Sequence, residues 1–310
     1  MSLPVSTAWQ EAIQAQFRYP GYMRVELAVA PPGITEHTTV SSVTSCPWTR
    51  ASDVIERQKV PEVPVLSLEH NRWCLDGSAI PVNDQNTNLN RMGWWSKGPV
   101  EDSTATVFQF TFDQAYDLFG LYIRWDRQTS SWATDFTFEG YNNSNELVAT
   151  KHITDPPASD GFYELSMSDV RIIKVIFHGW SKPHWRARME FVLFGKLIEF
   201  YNDRIQSMDY EASANLLSSD LPSQQCSLVA TNYDREFDPT LKTGVAAFLA
   251  RQQQLKVKWG FETSYGIVEW LDEWPMYLSK WSVPADERVV RLTAINRLQF
   301  MSRKYIYGLY

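Results

Sequence analysis

The stretch HGWSKPHWRARMEF, residues 178–191, sets two tryptophans, two histidines and two arginines around a Lys-Pro step. An indole ring is flat and apolar on its faces yet carries one N–H donor. It can therefore stack on the C–H surface of a sugar while Arg, Asp and His bond the hydroxyls. Upstream, RIIKVIFHGW alternates, with Ile172, Lys174, Ile176 and His178 on one face and Ile173, Val175 and Phe177 on the other. Trp180 then falls at or just past a strand end, SKPHW reads as a loop, and ARMEFVLFG starts the next strand with Arg186 and Arg188 on one side. Trp125, Asp126 and Arg127, followed by Trp132, occupy a second connection that is expected to share this end. The candidate glycan-binding set is thus Trp180, His184, Trp185 and Arg186, with Trp125 and Arg127. In the competing reading, Trp180 or Trp185 caps the core.

Other chemistries find less support. There is no G-x-S-x-G elbow, no phosphate-cradling or dinucleotide glycine pattern and no H-E-x-x-H. Five scattered histidines give no metal-ligand spacing, and the closest pair, His178 and His184, is expected to be packed or solvated. Asp126, Asp135, Glu139 and Glu190 lie on candidate strands or their ends and could pair as glycosidase acids, but they are expected to be surface residues at outward-facing positions. No catalytic residue, metal ligand or cofactor is assigned, and the chain is not expected to be an enzyme.

Composition sets the wider bounds. The 310 residues, 44% hydrophobic and 21% charged, fit about two globular domains. A net charge of −7 argues against nucleic acid as the main partner, because phosphate binding needs a basic footprint. Cys46, Cys74 and Cys226 are odd in number and far apart, so reduced, partly buried thiols are expected rather than a disulfide or zinc framework. The N-terminal segment MSLPVSTAWQEAIQAQF lacks the basic flank and apolar run of a signal peptide, and no window is apolar enough to span a membrane.

Trp9, Ile13 and Phe17 recur at helical spacing, which predicts a short helix ended by Pro20-Gly21. YMRVELAVA then alternates as a strand. Two prolines in PEVPVLSL suit an inter-domain crossing. Segments 106–112, 117–126, 134–142, 146–154, 161–167, 171–180 and 187–197 follow as strands without helices between them, the signature of an antiparallel sandwich. Beyond residue 198 a second β-rich module is expected, with a short helix at Val245, Phe248 and Leu249.

The residues WCLDGS (73–78), GWWS (93–96), FTFDQAYDLFGLYIRWD (110–126) and RARMEFVLFG (186–195) make the block 68–195 resemble the galactose-binding-like jelly roll of discoidin domains and carbohydrate-binding modules. That resemblance implies ligand binding through loops at one end. It also implies a structural calcium, whose loop finds no residue-by-residue match here. Over nearly the whole chain, SLEHNRWCLDGSAIPV, IQSMDYEASANLLSSDLPSQQCSLVATNYDREFDP and WPMYLSKWSVPADERVVRLTAINRLQFM are similar in order and texture to tail-tip or baseplate proteins of phages and prophages of Gram-positive bacteria.

The resemblance implies a mainly β chain in which an antiparallel jelly-roll sandwich is inserted into a hub-like β domain. The expected division is an N-terminal helix or arm (1–19), a first hub part (20–61), the sandwich (62–197) and a second hub part (198–310). It further implies a virion structural protein made in the host cytoplasm. Its partners would be copies of itself in a ring and neighbouring tail proteins, and its sandwich would be either a binder of host polysaccharide or purely architectural. The alternative is a free carbohydrate-binding or adhesion protein, which would call for a secretion signal.

Overall fold

Period-2 alternation becomes strand along most of the chain in this computed structural model. The structure describes residues 21–42, 46, 49–55, 65–66, 80–81, 93–100, 106–156, 160–213, 222–241, 245–262, 268–284 and 287–305, with 10, 11 and 14. Within the expected N-terminal helix Gln10, Glu11 and Gln14 are helical, while Trp9, Ile13 and Phe17, like the Pro-rich crossing at 61–64, lie outside them.

In order, the strands are β1 (Tyr22–Val29), β2 (Thr38–Ser41), β3 (Val65–Leu66), β4 (Ile80–Pro81), β5 (Trp94–Pro99), β6 (Thr106–Trp125), β7 (Ala133–Tyr141), β8 (Leu147–Thr154), β9 (Asp160–Trp180) and β10 (Arg186–Leu193). They continue with β11 (Lys196–Tyr201), β12 (Ile205–Ser213), β13 (Ser223–Thr231), β14 (Gln254–Glu262), β15 (Val268–Asp272), β16 (Met276–Ser282) and β17 (Val289–Ile295). Two α-helices are described, α1 (Val245–Phe248) and α2 (Arg297–Tyr305). The pairings whose register is described are antiparallel except that of β3 with β4.

Residues 33–196 form one unit, a sandwich whose sheet runs β5-β10-β6-β9-β7-β8 with β2 on β6. The sequence divides 106–126 and 161–180 into four strands at polar breaks. The structure makes them two, β6 and β9, of 20 and 21 residues. Each bends midway. Thr106–Thr111 pairs with Phe177–Ile172, and after register shifts at Tyr116, Leu118 and Gly120 the rest of β6 pairs with the first half of β9. Bulges bend and twist a strand without ending it, so the polar breaks become a corner rather than loops. Asp169 adopts positive φ (56°) at that corner, and its N–H donates to the Asp117 carboxylate at 2.9 Å.

The bend lays the two halves of each strand over one another, and aromatic residues fill the space. Trp125 and Tyr163, from the second half of β6 and the first half of β9, meet Phe136 of β7 edge-on at 5.4 and 5.2 Å. Such offset geometries add to the area each ring buries. Ile34, Val54 and Ile55 join this core and Val40 of β2 pairs with Phe110. The sandwich unit therefore begins at Gly33, well upstream of the crossing expected near residue 61, because polar, β-branched 38–41 is recruited as an edge strand of the sandwich.

The other unit comprises residues 1–32 and 197–310, with strand order β11-β1-β14-β16-β17-β13-β12 and β15 on β14. Val25, Leu27, Leu255 and Val257 are fully buried on one face of the β1–β14 pair. On the alternate positions Arg24 and Lys258 both reach Glu26, at 3.1 and 3.4 Å, and all three side chains are buried. Cys46 and Cys226 are buried, and burial followed by the charge of Asp209 pushes the Cys226 thiol up to about 12. It stays protonated and unreactive at neutral pH. No helix among the described residues is long and apolar enough to cross a membrane.

Candidate functional site

The β6–β7 and β9–β10 connections do come together at one end of the sandwich. The Ser181 N–H donates to the Trp132 carbonyl at 2.9 Å, and the Trp132 N–H donates back to the Ser181 hydroxyl at 3.0 Å. β5 enters the same end, where the Val100 N–H donates to the Trp185 carbonyl at 3.1 Å. The β9–β10 loop closes as a tight turn, with the Trp185 N–H on the Lys182 carbonyl at 3.2 Å and His184 at φ 61°. That left-handed conformation is uncommon outside glycine but enriched in histidine. Lys182 and His184 are exposed, and Trp132, Trp185 and Arg186 are half-buried.

Trp185 rests on a built support. The Arg188 guanidinium carbon lies 4.5 Å from the Trp95 ring centre and 4.9 Å from that of Trp185. Its Nη1 donates to Asp126 Oδ2 at 3.0 Å, and the Thr129 hydroxyl donates to the same oxygen at 2.6 Å. Trp95 and Asp126 are fully buried and Arg188 is 2% exposed. Planar guanidinium stacks well on aromatic faces and holds its charge at any working pH, so the ring of Trp185 is fixed before any ligand arrives. The sequence expects Arg186 and Arg188 to point the same way on β10, whereas the register shifts between them and only Arg188 is buried. It misses Trp95 and Arg188 as supports, because nothing in the spacing of 95, 126 and 185–188 shows that three separate segments converge. Arg186 takes a lesser part, donating to the Ser96 carbonyl at 3.1 Å.

Two expected contacts prove to be core. Trp125 has no exposed surface, lies edge-on to Trp180 at 5.9 Å and donates its Nε1–H to the Tyr163 hydroxyl at 3.2 Å. Trp180 is 8% exposed. Simple alternation would put it outside with His178, but the strands are irregular here: Asp135 pairs with Gly179 while Phe136 pairs with Phe177, so His178 is an inserted residue. The bulge turns Trp180 inward. Its Nε1 is buried without a hydrogen-bond partner among the described residues.

Arg127 is exposed but committed. Its Nη2 donates to Asp160 Oδ2 at 2.6 Å, and its backbone N–H to Glu190 Oε1 at 3.0 Å. Tyr122 donates its hydroxyl to the same Asp160 oxygen at 2.8 Å. Burial alone would raise the Asp160 pKa, but Arg127, Tyr122 and the charge of Arg124 outweigh it and hold the carboxyl below its usual range. A carboxylate whose folded pKa is depressed contributes stability that is present above the unfolded value and lost as pH falls through the folded one. Asp160→Asn should therefore destabilise the sandwich at pH 7, and the gap from wild type should close as pH falls below about 4. Denaturant midpoints of both proteins at pH 7, 5 and 3 check this, and a pH-independent gap would contradict it.

Of the carboxylates that could have served a glycosidase, Asp126 is sealed in the Arg188 pair and Glu139 accepts from the Tyr141 hydroxyl at 2.6 Å. Glu190 holds the Arg127 backbone.

The loop end and the bent sheet define a mainly β, antiparallel, jelly-roll-type sandwich with one end built from connections. No protein-family model matches the chain, and no curated protein does. Among solved structures, it is similar to the family 32 carbohydrate-binding module of NanJ from C. perfringens, solved with galactose (13% identity, 56% of this chain and 99% of that chain, TM-score 0.35). It is also similar to a fucose binding module of Streptococcus pneumoniae (10%, 54% and 94%, TM-score 0.34). A third is discoidin II of Dictyostelium discoideum (10%, 84% and 87%, TM-score 0.31). At such identities and TM-scores the likeness carries no argument about function, which rests on the residues.

Proposed function

We propose that the sandwich binds a glycan at its loop end, with the half-exposed Trp185 ring as the stacking platform. The observation that carries this is the support beneath it: a buried Asp126–Arg188 pair stacked between Trp95 and Trp185. A rigid aromatic face costs little entropy on binding. Lys182, His184 and Arg186 around it supply donors to hydroxyls or to acidic groups of a cell-wall polysaccharide.

The wider setting we propose is a tail tip or baseplate of a phage or related particle, in which the second unit makes the contacts with neighbours. Supporting it is the arrangement of the chain: the 1–32 and 197–310 segments form one unit and the sandwich is inserted between them. Insertions of this kind are tolerated where a domain's termini lie close together.

One preparation of the full chain tests both parts. Its mass in solution is measured first, and it is then titrated with polysaccharides from several Gram-positive cell walls, following tryptophan fluorescence, beside Trp185→Ala and His184→Ala. Saturable quenching that falls at least tenfold in affinity in Trp185→Ala, with unchanged circular dichroism, is expected. No response across the panel would make the sandwich architectural. Ring-sized assemblies are expected of the tail setting, whereas monomers that bind glycan would favour a free carbohydrate-binding protein.

A further inference from the structure

On the outer face of β7, β8 and β9 three side chains meet that the sequence never brings together. Asp135 and His152 come from adjacent strands. Thr137 pairs with His152 and Asp135 with Thr154, which makes Asp135 a diagonal neighbour of His152 on the same face. Asp135 Oδ1 and His152 Nε2 lie 2.6 Å apart. His178 arrives from the other side of β7 at the irregularity described above. Its ring is 5.7 Å from that of His152 and perpendicular to it, at 86°.

The irregularity is itself informative. Both strands carry two consecutive residues that avoid the core, Thr134-Asp135 on β7 and His178-Gly179 on β9, flanked by fully or nearly buried Ala133, Phe136, Phe177 and Trp180. A β carbon at Gly179 would stand 2.8 Å from the Thr134 hydroxyl oxygen, so the close approach of the strands here requires glycine. Bulges re-aim side chains and occur beside functional sites. Here the bulge brings one donor atom from each of Asp135, His152 and His178 within 4.8 Å of one another.

We propose that Asp135, His152 and His178 bind a divalent transition-metal ion of the zinc class. Two imidazole nitrogens and one carboxylate oxygen are the donor set such ions prefer, with bonds of about 2.0–2.2 Å that modest side-chain movement reaches from this geometry. Binding replaces the Asp135–His152 hydrogen bond by coordination of both groups. Calcium and magnesium want a shell of six or more oxygens, which two imidazoles do not supply. The Thr137 hydroxyl lies 2.9 Å from His178 Nε2, and for it to act as the outer partner of a metal ligand the ion takes Nδ1 of that ring. Three protein ligands leave a fourth position open to water or to an incoming group. The ion also ties β8, an edge strand with a largely exposed face, to β9 across β7. It therefore holds the free edge of the sheet in place.

The test uses the tag-free full chain, stripped with a chelator and dialysed. Zinc, nickel, calcium and magnesium chlorides are each titrated by calorimetry, and thermal unfolding is followed with and without zinc. Saturable uptake of one zinc or nickel ion is expected, with a raised unfolding temperature and no heat from calcium or magnesium. Because His152 sits on the exposed edge, His152→Ala should retain the fold by circular dichroism and lose at least tenfold in zinc affinity. His178→Ala and Asp135→Asn should weaken binding in the same direction. Absence of saturable zinc and nickel uptake by the wild-type chain would overturn the proposal. So would uptake that both histidine variants retain unchanged.

Discussion

Trp125→Ala should lower the stability of the sandwich by about 3–5 kcal/mol, the range for emptying a large aromatic site in a core. The ring has no exposed surface and meets Phe136, Phe177 and Trp180 edge-on at 5.4, 6.1 and 5.9 Å. It stands where the second halves of β6 and β9 close over the first, so the cavity would lie between the two layers, with little freedom to collapse. The substitution also strips the Tyr163 hydroxyl of its indole donor. Tyr163 is 7% exposed, and a buried oxygen left without a partner adds its own cost. Trp125→Phe should lose less, since it keeps most of the apolar volume and forfeits the hydrogen bond. Hydrogen exchange of peptides covering 106–125 and 160–180 reads the effect locally, apart from the second unit and its own tryptophans. Wild-type protection in Trp125→Ala would contradict its place at the centre of the core.

Trp125 also shows where the sequence was legible and where it was not. Alternation found the strands, because burial on one face imposes a period of two whatever lies opposite. It placed both connections at one end, and the hydrogen bonds between Ser181 and Trp132 bear that out. Alternation fails at bulges, which shift the inward set by one residue without leaving a mark in composition. Trp180 changes sides for that reason, and Asp135, His152 and His178 converge for the same reason. It also fails at corners: the polar residues around 113–117 look like a turn between two strands, whereas β6 runs on through them. The division at Gly33 escaped notice because a four-residue edge strand such as β2 carries too little pattern to reveal its partner. Trp125 itself carried an ambiguous signal, since a tryptophan at a strand end serves a ligand or a core equally well. Only the direction of the ring decides, and that depends on residues 38 and 55 positions further along the chain, Tyr163 and Trp180.

The buried pair beneath Trp185 gives the second large effect. Asp126→Ala should cost about 3–5 kcal/mol, the penalty for leaving one partner of a buried ion pair uncompensated. Arg188 would keep its charge between two indole rings at 2% exposure, with the carboxylate at 3.0 Å gone. Cation–π attraction offsets part of that, but far less than a carboxylate at 3.0 Å. Removing both charges is a different matter. In Asp126→Ala with Arg188→Met, a flexible apolar chain fills the space between Trp95 and Trp185, and most of the stability should return. A double-mutant cycle on denaturant midpoints measures the coupling directly. If Asp126→Ala proves as stable as wild type, the pair is not what fixes the indole, and the platform must be set by the β9–β10 turn alone. If the single variant is destabilised and the double one recovers, glycan titration of the double variant separates support from charge. Wild-type affinity there would mean that Trp185 needs only something packed beneath it. Lost affinity in a recovered fold would mean that the guanidinium, by stacking flat, sets the angle at which the ring meets the sugar.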